Sequence, residues 1–324
     1  MRKLSGLAIA VFALLAAGGI SKAETYPSRP VTMIVPFPAG GATDTLARFL
    51  GEHMRELLGQ PVVIENVGGA AGRIAVQKAV RSAPDGYTLS IGTSTTHMLT
   101  GGLYTLPYDL LTDLDPIVLI GSEPLLLVGK KDLAPKNLKE FIAYLKANPA
   151  KATCGIAGVG ATGHVAGLSF QKHTGTKYEF VPYRGNGPAM QDLVGGQIDF
   201  MMEPASNFIG QLKAGTIKPY AVTAKDRTTS MPDVPTMDEA GSPGFTASLW
   251  YGLWVPKGTP KEIETKLNSV MVKVLALPAV QERFKQLGIQ MNTKEQTPQA
   301  LHAFQKAEAE RWWPIIKAAD IKAQ

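Results

Sequence analysis

Apolar positions along the chain repeat with two periods, two residues and about three and a half, and the changes between them divide it into strand–turn–helix units. In the first unit Val31, Met33, Ile34 and Val35 form a short apolar run that Pro36 and Pro38 close. Gly40 and Gly41 bend the backbone, and from Thr43 the helical period takes over, with Leu46, Phe49, Leu50, Met54, Leu57 and Leu58 on one face and Gly59 at the end. Val62, Val63 and Ile64 give a second strand, followed by a Gly-rich loop at 65–72 and a helix from near Arg73. A third strand at 88–92 runs into Ser94-Thr95-Thr96-His97. Three successive strands thus end in small or polar loops, and ligands of open α/β sheets gather at the carboxyl ends of strands.

The stretches 116–121 and 124–128 are extended, apolar and long enough together to leave one lobe and enter another. The rhythm then restarts, with helices expected at 138–147, 164–173, 188–195 and 208–214 and strands at 152–157, 178–182, 198–202 and 219–223. Two extended crossings, near 123 and 221, describe an α/β protein of two lobes hinged around a cleft. The expected division is a first lobe of 24–123 and 221–324 and a second lobe of 124–220. The tail adds an aromatic strand at 248–255 and helices at 260–275, 279–287 and 298–319. Trp312 and Trp313 lie on the last of these and are read as docking it onto the first lobe.

Composition narrows the class. Arg2 and Lys3, an apolar run at 7–17 and the small-x-small triplet Ser21-Lys22-Ala23 read as a secretory signal peptide at 1–23, with a mature start expected at Glu24 and an export route that ends outside the cytoplasm. Removing Arg2, Lys3 and Lys22 from a net charge of +6 leaves about +3, scattered along the chain, so no nucleic-acid footprint is expected. No other apolar run approaches the roughly 20 residues that span a bilayer. Cys154, the single cysteine, sits in a strand-like segment and reads as a buried inert thiol.

Gly158 to Gly163 spells G-x-G-x-x-G between a strand and a helix, but the acid expected at the end of the following strand stands at its beginning, as Glu179. No nicotinamide cofactor is therefore expected. The loop still exposes N–H groups at a helix N-terminus, with Thr162 and His164 beside them. The five histidines take no metal-ligand spacing, and no nucleophile elbow or Walker pattern is present. Ser94 and His97, three residues apart, are the one nucleophile–base pair on offer, without an orienting carboxylate. Arg184 follows a strand of the second lobe, placed either to grip a carboxylate across the cleft or to pair with Glu203.

The runs PFPAGGATDTLAR at 36–48, ENVGGAAGRIA at 65–75, APDGYTL at 83–89, GVGATGH at 158–164, VPYRGNGPAMQDLVGGQIDF at 181–200, MPDVPTMDEAG at 231–241 and WYGLWVPKGTP at 250–260 closely resemble the Bug-type substrate-binding proteins of tripartite tricarboxylate transporters. The resemblance covers nearly all of the chain after the signal peptide. It implies a type II periplasmic binding protein fold and a monomeric receptor, without cofactor or catalysis. That receptor would close on a small carboxylate or dicarboxylate and deliver it to a two-component integral membrane permease. Its loops carry over Phe37, Ala39, Gly40, Gly41, Thr43, Thr162, Gly163 and His164 as ligand contacts, with Ser94 and His97 from the third loop. Arg73 and Glu203 depart from the family, which more usually has a small polar residue and an aspartate there. Arg73 is the candidate for the distal carboxylate of a longer diacid. The alternatives are a secreted hydrolase using Ser94 and His97, and a sensor that presents its closed form to a signalling partner.

Overall fold

The computed structural model describes residues 26–291 and 295–319, so the signal-peptide reading lies outside the described residues. Among the described residues nine strands form one mixed sheet: β1 (Val31–Val35), β2 (Val62–Asn66), β3 (Thr88–Thr93), β4 (Leu114–Lys130), β5 (Thr153–Ile156), β6 (Glu179–Pro182), β7 (Phe200–Pro204), β8 (Ile217–Val222) and β9 (Ser248–Pro256). The helices are α1 (Ala42–Leu58), α2 (Arg73–Val80), α3 (Thr100–Leu103), α4 (Leu138–Ala147), α5 (Thr162–Thr174), α6 (Asn186–Val194), α7 (Ile209–Ala214), α8 (Lys261–Leu275), α9 (Pro278–Leu287) and α10 (Pro298–Ala318). The two apolar stretches expected as a crossing are one strand: β4 runs unbroken through the middle of the sheet for 17 residues. Among the described residues no helix is long and apolar enough to cross a membrane.

The order β2-β1-β3-β9-β4-β7-β5-β6 divides at β4. Its first part, to Pro124, pairs with β9, and its last part, from Leu125, pairs with β7 and β8. β1, β2 and β3 are parallel, as short strands joined through helices must be, and so are β5, β6 and β7. Each parallel set therefore points its carboxyl ends and βα loops one way, and the two sets of loops meet beside the centre of β4. There the return from β8 to β9 is tied down by Thr223, whose hydroxyl accepts from the Leu125 amide at 2.8 Å and donates to the Ala247 carbonyl at 2.6 Å.

Packing follows the apolar faces. α1 buries Leu46, Leu50, Met54 and Leu58 against Val31, Met33 and Val35, and α8 and α9 add Leu267, Met271, Val274 and Phe284 to that core. In the other half Phe141, Phe170, Phe200 and Tyr220 fill the space between α4, α5 and the sheet. Cys154 is fully buried among them, and burial pushes its thiol up, as an inert sulfur requires. The last helix docks as expected. Trp312 is buried, and the Trp313 indole donates to the Met98 carbonyl at 2.9 Å where Gly101 and Gly102 leave room for its ring.

Candidate functional site

A cavity of about 180 Å³ lies where the two sets of loops meet. From the first half come Phe37, Ala42 and Thr43 of the β1–α1 turn and Thr93 and Thr95 after β3. From the second half come Ala157, Ala161 and Thr162 of the β5–α5 loop, with Asn186, Glu203 and Ser206. Glu123 of β4 and Tyr251 of β9 stand between them. An adjoining cavity of about 260 Å³ shares Ala42, Glu123, Ser206 and Tyr251, and reaches Gly40 and Arg283. A larger cavity, about 520 Å³, shares no residue with either, and its Asp115 is taken up by Lys257 and the Gly258 amide.

The β1–α1 turn is held from below. Asp44 points back from the first turn of α1 to accept the Gly40 amide at 2.8 Å, and it also takes Arg48 and Asn66. The Arg48 guanidinium is the main reason its carboxyl falls to about 2. The Gly40 amide is therefore spent on Asp44, whereas the first-turn amides after Gly41, which caps α1 with no side chain, have no intrahelical acceptor, and Ala42 and Thr43 of that turn line the cavity.

Across the cavity Gly163 lets α5 press onto β7. A Cβ there would lie 2.3 Å from Glu203 Oε1 and 2.4 Å from the Met202 carbonyl. The two sides also touch through hydroxyls, Thr95 to Thr162 at 2.9 Å and Ser94 to Thr162 at 3.3 Å. Two carboxyls lining the cavity are buried. Glu203 accepts the Ala157 amide at 3.1 Å, and burial pushes it up to about 7. Glu123 accepts the Ser206 amide at 2.6 Å and is likewise raised by burial. Burial, and then the Glu123 charge, raises the Tyr251 phenol. Two buried oxygens of the lining residues, Thr93 Oγ1 and Asn186 Oδ1, have no partner among the described residues.

The sequence candidates divide accordingly. Phe37, Thr43, Thr162 and Glu203 line the cavity, Gly40 lines the adjoining one, and Ala39 and Gly41 belong to the same turn. Ser94 stands behind Thr162 in a separate small space. His164 is turned into its own loop, where its Nδ1 accepts the Gly160 amide at 3.0 Å and burial lowers it to about 4. His97 is sealed beneath β3, stacked on Trp254 at 4.3 Å, with Ser90 on Nε2 and Thr96 on Nδ1. It forms no pair with Ser94. Arg73 lies outside the cavity over the Tyr104 ring, its Nε donating to the Ala70 carbonyl. Arg184 is exposed and does not pair with Glu203.

Glu123, Tyr251, Ser206 and Asn186 were not legible as site residues. Glu123 and Tyr251 sit inside apolar strands, where only the oddity of a carboxylate between Ser122 and Pro124 marks anything.

The profile of the tripartite tricarboxylate transporter family receptor matches residues 46–321. The periplasmic binding protein BugD is 41% identical, with a TM-score of 0.79 over 92% of this chain and all of its own. MatC from Rhodopseudomonas palustris, solved with bound malate, is 36% identical at a TM-score of 0.79, over 90% of this chain and 100% of that one. Rpa4515 of the same organism, solved with adipate, is 34% identical at a TM-score of 0.82, over 92% and 100%. The α/β fold is that of the periplasmic binding proteins, and the chain belongs to the tripartite tricarboxylate transporter receptor family as a Bug-type solute-binding protein.

Proposed function

We propose that this chain captures a small organic carboxylate in the cavity beside the centre of β4 and delivers it to a two-component membrane permease. The observation that carries the reading is the position of the cavity: both sets of βα loops line it, and Ala42 and Thr43 of the uncapped first turn of α1 are among its lining residues. A carboxylate set on the 41–43 turn would take the first-turn amides of α1 and the hydroxyls of Thr43, Thr95 and Thr162. Neutral donors held in fixed positions bind an anion without a basic cluster. The malate and adipate bound by MatC and Rpa4515 favour the same ligand class.

The hinge of this reading lies at Leu125, Thr223 and Ala247, where three chain segments are bonded through one hydroxyl. Residues 224–246 then move with the second lobe, because Met231 and Val234 belong to the same apolar core as Phe208 and Val222. Ligand binding shifts the population towards the closed form, which is the form the permease recognises. Micromolar affinity corresponds to about −8 kcal/mol, within reach of several such bonds and water exclusion. Export places the receptor in the periplasm with its first residue at Glu24, which the intact mass of the secreted protein checks.

A hydrolytic reading loses its base, since both ring nitrogens of His97 are engaged and the ring is sealed under β3. The test is a thermal-unfolding screen against mono-, di- and tricarboxylates and amino acids. A ligand of the native state raises the melting temperature with its concentration. A rise with at least one acid is expected; no rise across the panel overturns the reading.

A further inference from the structure

A cavity of about 390 Å³ lies on the far side of the crossing strands from the ligand cavity. Side chains alternate across a strand, and Glu123, Leu249 and Tyr251 line the ligand cavity whereas Ser122, Pro124 and Ser248 line this one. All three chain crossings border it: β4 at Ser122 and Pro124, the segment after β8 at Thr223, and the return to β9 at Ala247. Thr223, whose hydroxyl knots the hinge, is thus one of its walls.

The other walls belong to different lobes. Glu308 and Arg311 come from α10, which Gln305 and Trp313 tie to the first lobe through the carbonyls of His97, Leu110 and Met98. Lys225 and Thr246 lie at the two ends of the 224–246 segment, which moves with the second lobe. The Arg311 guanidinium spans the two by donating to the Thr246 carbonyl. Its ion pair with Glu308 is long, at 3.7 Å, and Glu308 also accepts the Trp312 indole at 3.0 Å. Lys225 is exposed and forms no ion pair among the described residues. Two cations against one carboxylate leave this lining net positive, with the hydroxyls of Ser122 and Ser248 between them.

We infer that this cavity is a second ligand site, which takes a small oxyanion between Lys225 and Arg311, and that filling it favours the closed receptor. Arg offers a planar fork of donors and Lys a mobile point charge, a pairing that suits an anion with several acceptor oxygens. The effect on closure rests on the receptor reading. Rotation of two lobes about the strands that join them moves the two sides of the hinge in opposite senses, so opening the ligand cavity swings Lys225 and Thr246 towards α10. Where Thr95 and Thr162 meet across the ligand cavity at 2.9 Å, the far side keeps room for the anion. An anion seated there resists opening. By reciprocity it tightens the acid in the ligand cavity by the factor with which the acid tightens the anion.

The test pairs equilibrium dialysis of the purified protein against labelled inorganic phosphate with calorimetric titration of an acid that raises its melting temperature. The titration is run in phosphate and in chloride at one ionic strength and one pH. One phosphate per chain is expected, and phosphate is expected to tighten the acid about fivefold or more, the lower end of ordinary coupling between sites. Lys225→Ala is expected to lose both effects and to bind the acid in chloride as the unaltered protein does; the side chain is exposed, so its removal disturbs no packing. Phosphate retained equally by Lys225→Ala, or phosphate that weakens the acid, puts the anion in the ligand cavity and overturns the proposal. No retained phosphate overturns the site, and equal acid affinity in phosphate and chloride overturns its effect on closure. Should no acid bind at all, the receptor reading fails, while the phosphate dialysis still decides the site.

Discussion

Replacing Glu203 by Gln should make the empty protein more stable at pH 8 and leave it little changed at pH 4. The carboxyl is 2% exposed, and burial raises it from 4.5 to about 7. The folded state therefore holds a proton that the unfolded chain has released anywhere between those two pH values. Stability falls with rising pH wherever the native state binds more protons, so the penalty is absent below 4.5, grows to pH 7 and stays constant above it. A shift of that size corresponds to about 3 kcal/mol at 1.36 kcal/mol per unit. Gln carries no such penalty, and its Oε1 can still accept the Ala157 amide that Glu203 takes at 3.1 Å. Urea unfolding of both proteins at pH 4 and pH 8 measures the difference of differences, expected at about 1–3 kcal/mol in favour of Gln at the higher pH. A difference that does not change with pH, or Gln the less stable at pH 8, would refute the buried, proton-holding carboxyl. A binding site that destabilises its own empty form is the trade expected where ligand must supply the missing partner.

Three further outcomes follow from the geometry. His97 is held neutral down to about 3 by burial, against 6.5 in the unfolded chain, so it costs the native state stability as pH falls below 6.5; His97→Phe should flatten that acid limb in unfolding experiments between pH 6.5 and 4. Gly163→Ala forces a Cβ onto the Met202 carbonyl and Glu203, and should cost about 1–3 kcal/mol in denaturant unfolding and weaken ligand binding at least tenfold; an unchanged affinity would place the ligand elsewhere. Gln305→Ala strands the carbonyls of His97 and Leu110 and the indole N–H of Trp254, and at about 1–3 kcal/mol per unsatisfied buried group it should lower the urea midpoint steeply.

The strand and helix pattern was legible because most elements carry their own period. The helix expected at 138–147 matches α4, and the tail helices end within a residue or two of their expected positions. The run Ser94 to His97 misled because its polarity reads as a loop, while the fold winds 95–99 into a wide turn that carries His97 inward. What makes that possible lies far along the chain. Gly92 and Gly252 face each other in the sheet, and a Cβ at Gly92 would lie 1.8 Å from His97 Nδ1, so the two glycines open a slot for the His97–Trp254 stack. Pairing between residues 160 positions apart leaves no local mark. The Gly-rich turns announced themselves because positive φ at Gly40 and Gly160 demands glycine. Glu123 and Tyr251 became site residues only when the pairing of β4 with both β9 and β7 brought them to the cavity that Glu203 also lines.

The central claim is that the cavity beside β4 holds a carboxylate and returns it unchanged. Equilibrium dialysis of the purified protein against a labelled acid that raises its melting temperature, followed by chemical identification of what the protein releases, tests it directly. One acid per chain, recovered intact and lost in Gly163→Ala, is the predicted result. Acid converted to another compound, or retained equally by Gly163→Ala, would contradict it.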